Sequence, residues 1–473
     1  MLRPYQQTAI DLIRGEFQAG RKRVLLRLAT GGGKTLCFCF IAKAALERFN
    51  RVLVVVRGRK LVDQASQRLK REGVPHGVFM ANHPGWAPER FVQVCSIDTI
   101  VARDANLRAD VIIVDEAHQA TSKSYRSFLA QHPGAYILAV TATPYGPEPL
   151  EHLAESVIEP ILEQELIDQG YLVPPKYFAP KSDIDFGSVG MRAGEFVERD
   201  LEREVMKSRI VGSVVTEYRK RAAGKTAIVF CVTVNHAQML ASEFNQAGIP
   251  ARVLHAGTPD DEREDAIRSR DVLCNVGILG TGVDIPWLEC VIMARPTMSL
   301  NLYLQQLGRG TRPYEGKTHF LLLDHAENVR RHGLMTDLRE VDLKGTPRGK
   351  TNPNPVKTCE KCYCVYDAKL GARCPECGHE KPVERREIKH AEGELVEIGG
   401  GERIVIDSAA RDEASQIIDI WLKKIPFMTN AGGQPMSPWV AFYKAKEATK
   451  GRVDETWLRV DFRRRAKKAG FFQ

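Results

Sequence analysis

One stretch constrains this chain more than any other. A short apolar run, Val24–Leu28, leads into Ala29-Thr30-Gly31-Gly32-Gly33-Lys34-Thr35, and a helix-compatible run follows. Glycines in a strand-to-helix turn let backbone N–H groups wrap a phosphate, and the positive end of the next helix adds to the attraction. Lys34 can then reach the β- and γ-phosphates, and the Thr35 hydroxyl can ligate Mg²⁺. The strict form of this loop has glycine where Leu28 stands. A plain glycine-rich turn would not require strand, lysine and helix in that order.

Some eighty residues on, the run Val111–Val114 ends in Asp115-Glu116-Ala117-His118. Asp115 is expected to hold Mg²⁺ through its water shell, and Glu116 to orient and deprotonate an attacking water. An acidic pair after a strand is ordinarily a solvated strand end. Opposite a phosphate loop it makes a nucleotide-hydrolysis site.

Around these motifs β-rich runs alternate with helical stretches. Val24–Leu28, Val52–Val56, Phe91–Cys95, Val111–Val114 and Ile137–Val140 form one series. Thr226–Val232, Arg252–Leu254, Val272–Val276, Cys290–Met293 and Phe320–Leu323 form a second. Such alternation predicts βαβ units on parallel sheets. The predicted organisation is an α/β domain over 1–155, a connector over 156–205 and a second α/β domain over 206–345. A cysteine module over 346–382 and a small, mostly helical basic domain over 383–473 follow. The proline-rich connector is expected to carry a helix over Ile158–Gln169, and Gly345–Lys357 reads as a linker.

Five of the eleven cysteines fall between Cys359 and Cys377. Cys359-x2-Cys362 and Cys374-x2-Cys377 have the spacing of two thiolate knuckles closing one tetrahedral Zn²⁺ site. Zn²⁺ is the expected ion; the alternatives are an iron–sulfur cluster, which four cysteines also bind, and unligated thiols, and Cys364 and His379 are spare donors. A module this small has no core of its own, so metal would supply its folding energy.

Net charge is +9 over 473 residues. Residues 346–473 carry +6 of it and the first 345 only +3. The excess suits a polyanionic partner or a solvated surface. Near the end, Trp457, Arg459, Phe462, Arg463-Arg464-Arg465, Lys467-Lys468 and Phe471-Phe472 interleave aromatic and basic residues. That pattern fits nucleic-acid contact, or an amphipathic helix docked through its rings. Trp421, Trp439 and Trp457 are expected to anchor a helical core. No apolar run approaches the ~20 residues of a membrane span. No apolar signal segment follows Met1, so a cytoplasmic, nucleoid-associated protein is expected.

Taken together these residues resemble superfamily 2 helicases of the DEAD/DEAH-box type. Arg3 and Gln6, in Leu2-Arg3-Pro4-Tyr5-Gln6, resemble the family's adenine-reading element. Asp115-Glu116-Ala117-His118 matches its second motif. Thr141-Ala142-Thr143-Pro144 matches the third, which with His118 is implied to couple hydrolysis to nucleic-acid movement. Gly282-Val283-Asp284-Ile285-Pro286 resembles the fifth, whose Asp284 would contact the ribose. Gln305-x2-Gly308-Arg309-x2-Arg312 matches the sixth. Arg309 and Arg312 would then neutralise the γ-phosphoryl transition state from a facing domain. Arg57 and Arg59, beside Gly58 where relatives carry arginine, and Ser96 and Thr99 resemble nucleic-acid contacts. Gly280 replaces a usual threonine. The form of the fifth and sixth motifs and the cysteine module fit best the bacterial RadD (YejH) DNA-repair group.

The resemblance implies two RecA-like P-loop domains in tandem, with Lys34 and Glu116 on one wall of an ATP site and both arginines on the other. The implied activity is ATP-dependent helicase or translocase action on single-stranded or branched DNA, in repair or recombination, by a monomer. Single-stranded-DNA-binding or repair proteins are expected partners. Its rivals are a DNA-stimulated remodelling ATPase, an RNA helicase and the motor subunit of a restriction enzyme.

Overall fold

The computed structural model describes residues 2–146, 148–179, 189–192, 195–207, 210–279, 284–345, 355–380, 408–427, 437–449, 452–453 and 455–471. The chain divides into two compact units, Met1–Pro382 and Val383–Gln473.

In the first unit, α1 (Pro4–Gln18) opens with proline, whose missing N–H costs nothing in a first helical turn. Then come β1 (Arg23–Arg27), α2 (Lys34–Leu46), β2 (Val52–Val56), α3 (Arg59–Arg71), β3 (His76–Phe79) and β4 (Val92–Ser96). α4 (Ile97–Ala102), β5 (Val111–Asp115), α5 (Lys123–Ala130), β6 (Tyr136–Thr141) and β7 (Ser156–Ile158) complete the first domain. Its seven strands are all parallel, in the order β3-β4-β2-β5-β6-β1-β7. β2 is buried at every residue, as a strand covered on both faces must be, which is why it reads as uninterrupted Val and Leu. Because β5, β6 and β1 are neighbours, the loops leaving their carboxyl ends converge. Those loops carry Asp115-Glu116, Thr141–Thr143 and the glycine loop.

After α6 (Glu163–Asp168) and β8 (Pro175–Phe178), a short hairpin pairs β9 (Met191–Arg192) with β10 (Glu195–Phe196). The second domain runs through α7 (Glu198–Lys207), α8 (Ile210–Ala222), β11 (Ala227–Phe230), α9 (Val234–Gln246), β12 (Ala251–Leu254) and α10 (Asp260–Ser269). It continues with β13 (Val272–Asn275), β14 (Cys290–Met293), α11 (Leu300–Leu307), β15 (Phe320–Asp324) and α12 (Asn328–His332). β16 (Val356–Thr358) and β17 (Cys364–Asp367) follow. The sheet order is β12-β13-β11-β14-β15-β8-β17-β16, parallel as far as β8 and antiparallel beyond it.

The two α/β domains stand as expected, but the stretch between them does more than connect. Ser156–Ile158 adds an edge strand to the first sheet, and Pro175–Phe178 adds a strand to the second. The helix expected over Ile158–Gln169 is therefore only Glu163–Asp168: Ile158 is held in strand pairing with Leu26, and Pro160 follows it. A buried ion cluster fixes this segment. Arg27 of β1 pairs with both Glu159 and Glu163, and all three are buried.

The cysteine module is not a free-standing appendage either. β17 pairs with β8, and Cys359, Cys364 and Cys374 lie in the same apolar cluster as Phe178, Val229 and Ile292 of the second domain. The expected linker ends early, since β16 starts at Val356; residues 346–354 lie outside the described set.

The second unit holds α13 (Ser408–Lys424), α14 (Trp439–Thr449) and α15 (Glu455–Lys468). Trp439 is buried, its ring 4.8 Å from Phe462 and 5.5 Å from Phe442. Trp421 is half-buried, and the side chain of Trp457 lies outside the described residues. Buried Asp461 accepts hydrogen bonds from Ser415 and Arg465, both at 2.7 Å, and pairs with Arg464. Among the described residues no helix is long and apolar enough to cross a membrane.

Candidate active site

The glycine loop bridges β1 and α2. Gly33 takes φ +84°, which a side chain resists, and a Cβ there would meet the Gln6 amide nitrogen at 2.3 Å. Lys34 opens α2, so the free N–H groups of that helix and the lysine address the same space. Gln6 donates to the Gly32 carbonyl at 3.0 Å and accepts from the Arg3 backbone N–H at 2.9 Å. Tyr5 donates to the same Gly32 carbonyl at 2.9 Å, and the Arg3 guanidinium lies 4.6 Å over the Tyr171 ring. The element expected to read adenine thus packs directly on the glycine loop. Tyr171 has no signal in the sequence, because only the fold returns the connector to this place.

Asp115 ends β5 and Glu116 follows at φ +48°, a left-handed conformation that a glutamate adopts at some cost and that marks a constrained site. Burial, and then the Glu116 charge beside it, push the Asp115 carboxyl up, against the pull of Lys34. A dication between these carboxylates and the phosphates would relieve that strain. Thr35, in the first turn of α2, has the hydroxyl to share it.

Burial keeps His118 neutral by lowering its pKa, although the nearby Glu116 opposes this. Its Nδ1 lies 2.9 Å from the Thr141 hydroxyl and its Nε2 3.0 Å from the Gln305 amide nitrogen. Since the amide N–H can only donate, Nε2 accepts and Nδ1 carries the proton to Thr141. The second amide proton of Gln305 goes to the Thr143 hydroxyl at 3.2 Å. One side chain of the second domain therefore grips both the second and the third motif of the first.

The domains meet closely here. A Cβ on Gly308 would sit 2.5 Å from Thr30 Cβ, and one on Gly31 would sit 3.5 Å from the Thr311 hydroxyl oxygen. Arg309 is buried, and its pKa falls to about 10 because of that burial, with Glu116 drawing it back. It keeps its charge at neutral pH. Arg312 is ion-paired with Asp284, the residue expected to hold the ribose. Gly282 lies outside the described residues.

The expected nucleic-acid contacts divide. Arg57 is half-exposed, 3.5 Å from Asp98 and 3.2 Å from the Ser122 hydroxyl; Arg59 donates to the Asn82 carbonyl at 3.1 Å. Ser96 and Thr99 are buried, and the Thr99 hydroxyl accepts from the Ala81 N–H at 3.1 Å. The Thr99 hydroxyl thereby supports the loop after β3, and the Ser96 side chain is enclosed, so neither is presented on the surface as a nucleic-acid contact.

In the cysteine module the four Sγ atoms of Cys359, Cys362, Cys374 and Cys377 lie within 4.8 Å of one another. Two of the separations, Cys359–Cys377 and Cys362–Cys374, are 3.6 Å. A tetrahedral ZnS4 centre with bonds of about 2.3 Å sets its sulfurs about 3.8 Å apart, so the donor set fits that ion. Cys364 stands outside the four, buried, with its sulfur 3.9 Å from the Val365 carbonyl oxygen.

Two family models match this chain in tandem: "Type III restriction enzyme, res subunit" over residues 1–146, and "Helicase conserved C-terminal domain" over 207–313. The chain belongs to the superfamily 2 helicases. As such it is an ATP-hydrolysing enzyme. This helicase is 30% identical over 387 residues to a 51.5 kDa protein of a Lactococcus phage, covering 79% of the chain and 82% of the phage protein. It is 28% identical to IRC3 of Saccharomyces cerevisiae, a protein named as an ATP-dependent helicase, over 68% of the chain but only 51% of the yeast protein. The helicase thus spans about half of that relative's length. It shares its fold with a fragment of an HsdR subunit of a type I restriction enzyme from Vibrio vulnificus, at TM-score 0.56 and 22% identity. That match covers 73% of this chain and 67% of the fragment.

Proposed function

We propose that this helicase is a DNA motor, in which ATP binding clamps the two α/β domains and hydrolysis releases them to step along a strand. The observation that carries the reading is the Gln305 amide spanning His118 and Thr143, beside Arg309 buried near Glu116. Bound Mg²⁺-ATP supplies the phosphoanhydride and the charge that Lys34, Thr35 and Asp115 are placed to hold. Glu116 orients and deprotonates the attacking water. Arg309, and Arg312 once freed from Asp284, meet the charge that develops on the γ-phosphoryl oxygens. Gln305 reports the state of that site to Thr143 and so to the domain interface.

DNA as the track is supported by the restriction-enzyme family model over the first domain and by the excess positive charge after residue 345. The form of the fifth and sixth motifs and the cysteine module support a RadD-like role in repair, at the nucleoid, with single-stranded-DNA-binding protein among its partners. We assign Zn²⁺ to the four cysteines as a structural ion. The test compares ATP turnover with single-stranded DNA, forked DNA and RNA, alongside strand displacement. Stimulation by DNA above that by RNA is expected. Equal stimulation by RNA, or none by any nucleic acid, contradicts the proposal.

A further inference from the structure

Gln305 does not act alone on its helix. Asn301 lies one turn earlier on α11, so the two share a face. Its side-chain oxygen accepts the backbone N–H of Tyr145 at 3.0 Å, across the domain interface. Thr143 and Tyr145 are alternate residues of the segment leaving β6. In extended chain they stand about 6.6 Å apart, close to the rise of about 6 Å between residues four apart on a helix. Two rungs of α11 are thus matched to two rungs of the third-motif segment.

Tyr145 is built to hold that match. Its ring, 6% exposed, belongs to the same apolar cluster as Leu300, Tyr303 and Leu304 of α11, although Tyr145 itself follows a strand of the first domain. Its hydroxyl lies near Arg27, Glu163 and Glu159 but has no hydrogen-bond partner among the described residues. The ring and the backbone N–H therefore do the joining, and the hydroxyl does not.

We propose that Asn301 is a positioning residue for ATP hydrolysis: its grip on the Tyr145 N–H sets the register of α11 against the third motif, and with it the place of Arg309 relative to Glu116. This rests on the reading of Arg309 as the residue that meets the γ-phosphoryl group. A backbone N–H cannot be removed without disturbing the chain, but the acceptor can. Asn301→Leu keeps the shape and loses the acceptor, whereas Asn301→Asp keeps an acceptor in place.

The test is steady-state ATP turnover of the full chain, with and without single-stranded DNA. One lost hydrogen bond of ordinary strength corresponds to about a threefold to tenfold fall in kcat. Asn301→Leu is expected to fall by that factor with KM for ATP nearly unchanged, while Asn301→Asp and Tyr145→Phe stay within about twofold of the parent. Wild-type kcat in Asn301→Leu overturns the inference. So does an equal fall in Asn301→Asp, even if the leucine variant folds poorly. The turnover without DNA makes the same comparison, so a parent enzyme that DNA fails to stimulate contradicts the DNA-motor reading and leaves this test in force.

Discussion

Single residues in this protein carry chemistry that only their surroundings permit. Glu116 holds a left-handed backbone, His118 is kept neutral so that it can relay a hydrogen bond, and Arg309 retains its charge although buried. Buried neutral histidines also have a thermodynamic consequence in the second domain. Burial pushes His236 and His332 down to about 4 from an ordinary 6.5. The unfolded chain therefore takes up these protons near pH 6.5, and the native chain only near 4. Stability is full above about pH 6.5 and falls as the pH drops towards 4, by up to about 3 kcal/mol for each histidine. Urea denaturation at pH 7.5 and pH 5 should show a lower midpoint at pH 5, and His236→Gln should remove part of the difference. An identical pH difference in that variant would contradict this account of His236.

At the scale of elements, most of what surrounds the glycine loop was legible in the chain. The β2 run reads as an uninterrupted apolar stretch and forms Val52–Val56 without a residue's error, and β1, β5 and β6 lie within a residue of their expected ends. What could not be read were strands whose own residues carry little strand signal. β3 is His-Gly-Val-Phe and β8 begins with proline, both poor strand signals, and each is held by a neighbour the local pattern does not reveal. The same holds for Tyr171 over Arg3 and for Asn301 on Tyr145, which are tertiary facts. Cysteine spacing predicted the four-sulfur cluster, yet it carried no hint that the module extends a motor sheet. There the Arg221 guanidinium of α8 stacks 4.2 Å over Phe178 and donates to the Cys362 carbonyl at 2.8 Å. Lys176 of β8 reaches Glu376 at 3.1 Å. Stripping metal with a strong chelator, or Cys374→Ser, should therefore speed amide hydrogen exchange in β8 as well as in the module, with metal content falling in parallel. Unchanged protection of Tyr177 and Ala179 after metal loss would show that the module and the sheet are uncoupled.

At the scale of the whole molecule, the proposed ATP site lies where the two α/β domains meet. The glycine loop, Asp115 and Glu116 belong to one domain, and Gln305, Arg309 and Arg312 to the other. The near-neutral charge of the first 345 residues fits a motor whose grip comes from local residues and from its closure. The excess positive charge lies beyond residue 345, and in the second unit α15 carries Arg463, Arg464, Arg465, Lys467 and Lys468. The central claim is that the second domain completes the catalytic site of the first. Its most direct test is ATP turnover at saturating ATP and single-stranded DNA in Arg309→Ala. An arginine supplied across such an interface is worth about 10³–10⁵ in rate, so a loss of at least about a thousandfold is predicted, with the variant still folded. Turnover within about tenfold of the parent enzyme would contradict it.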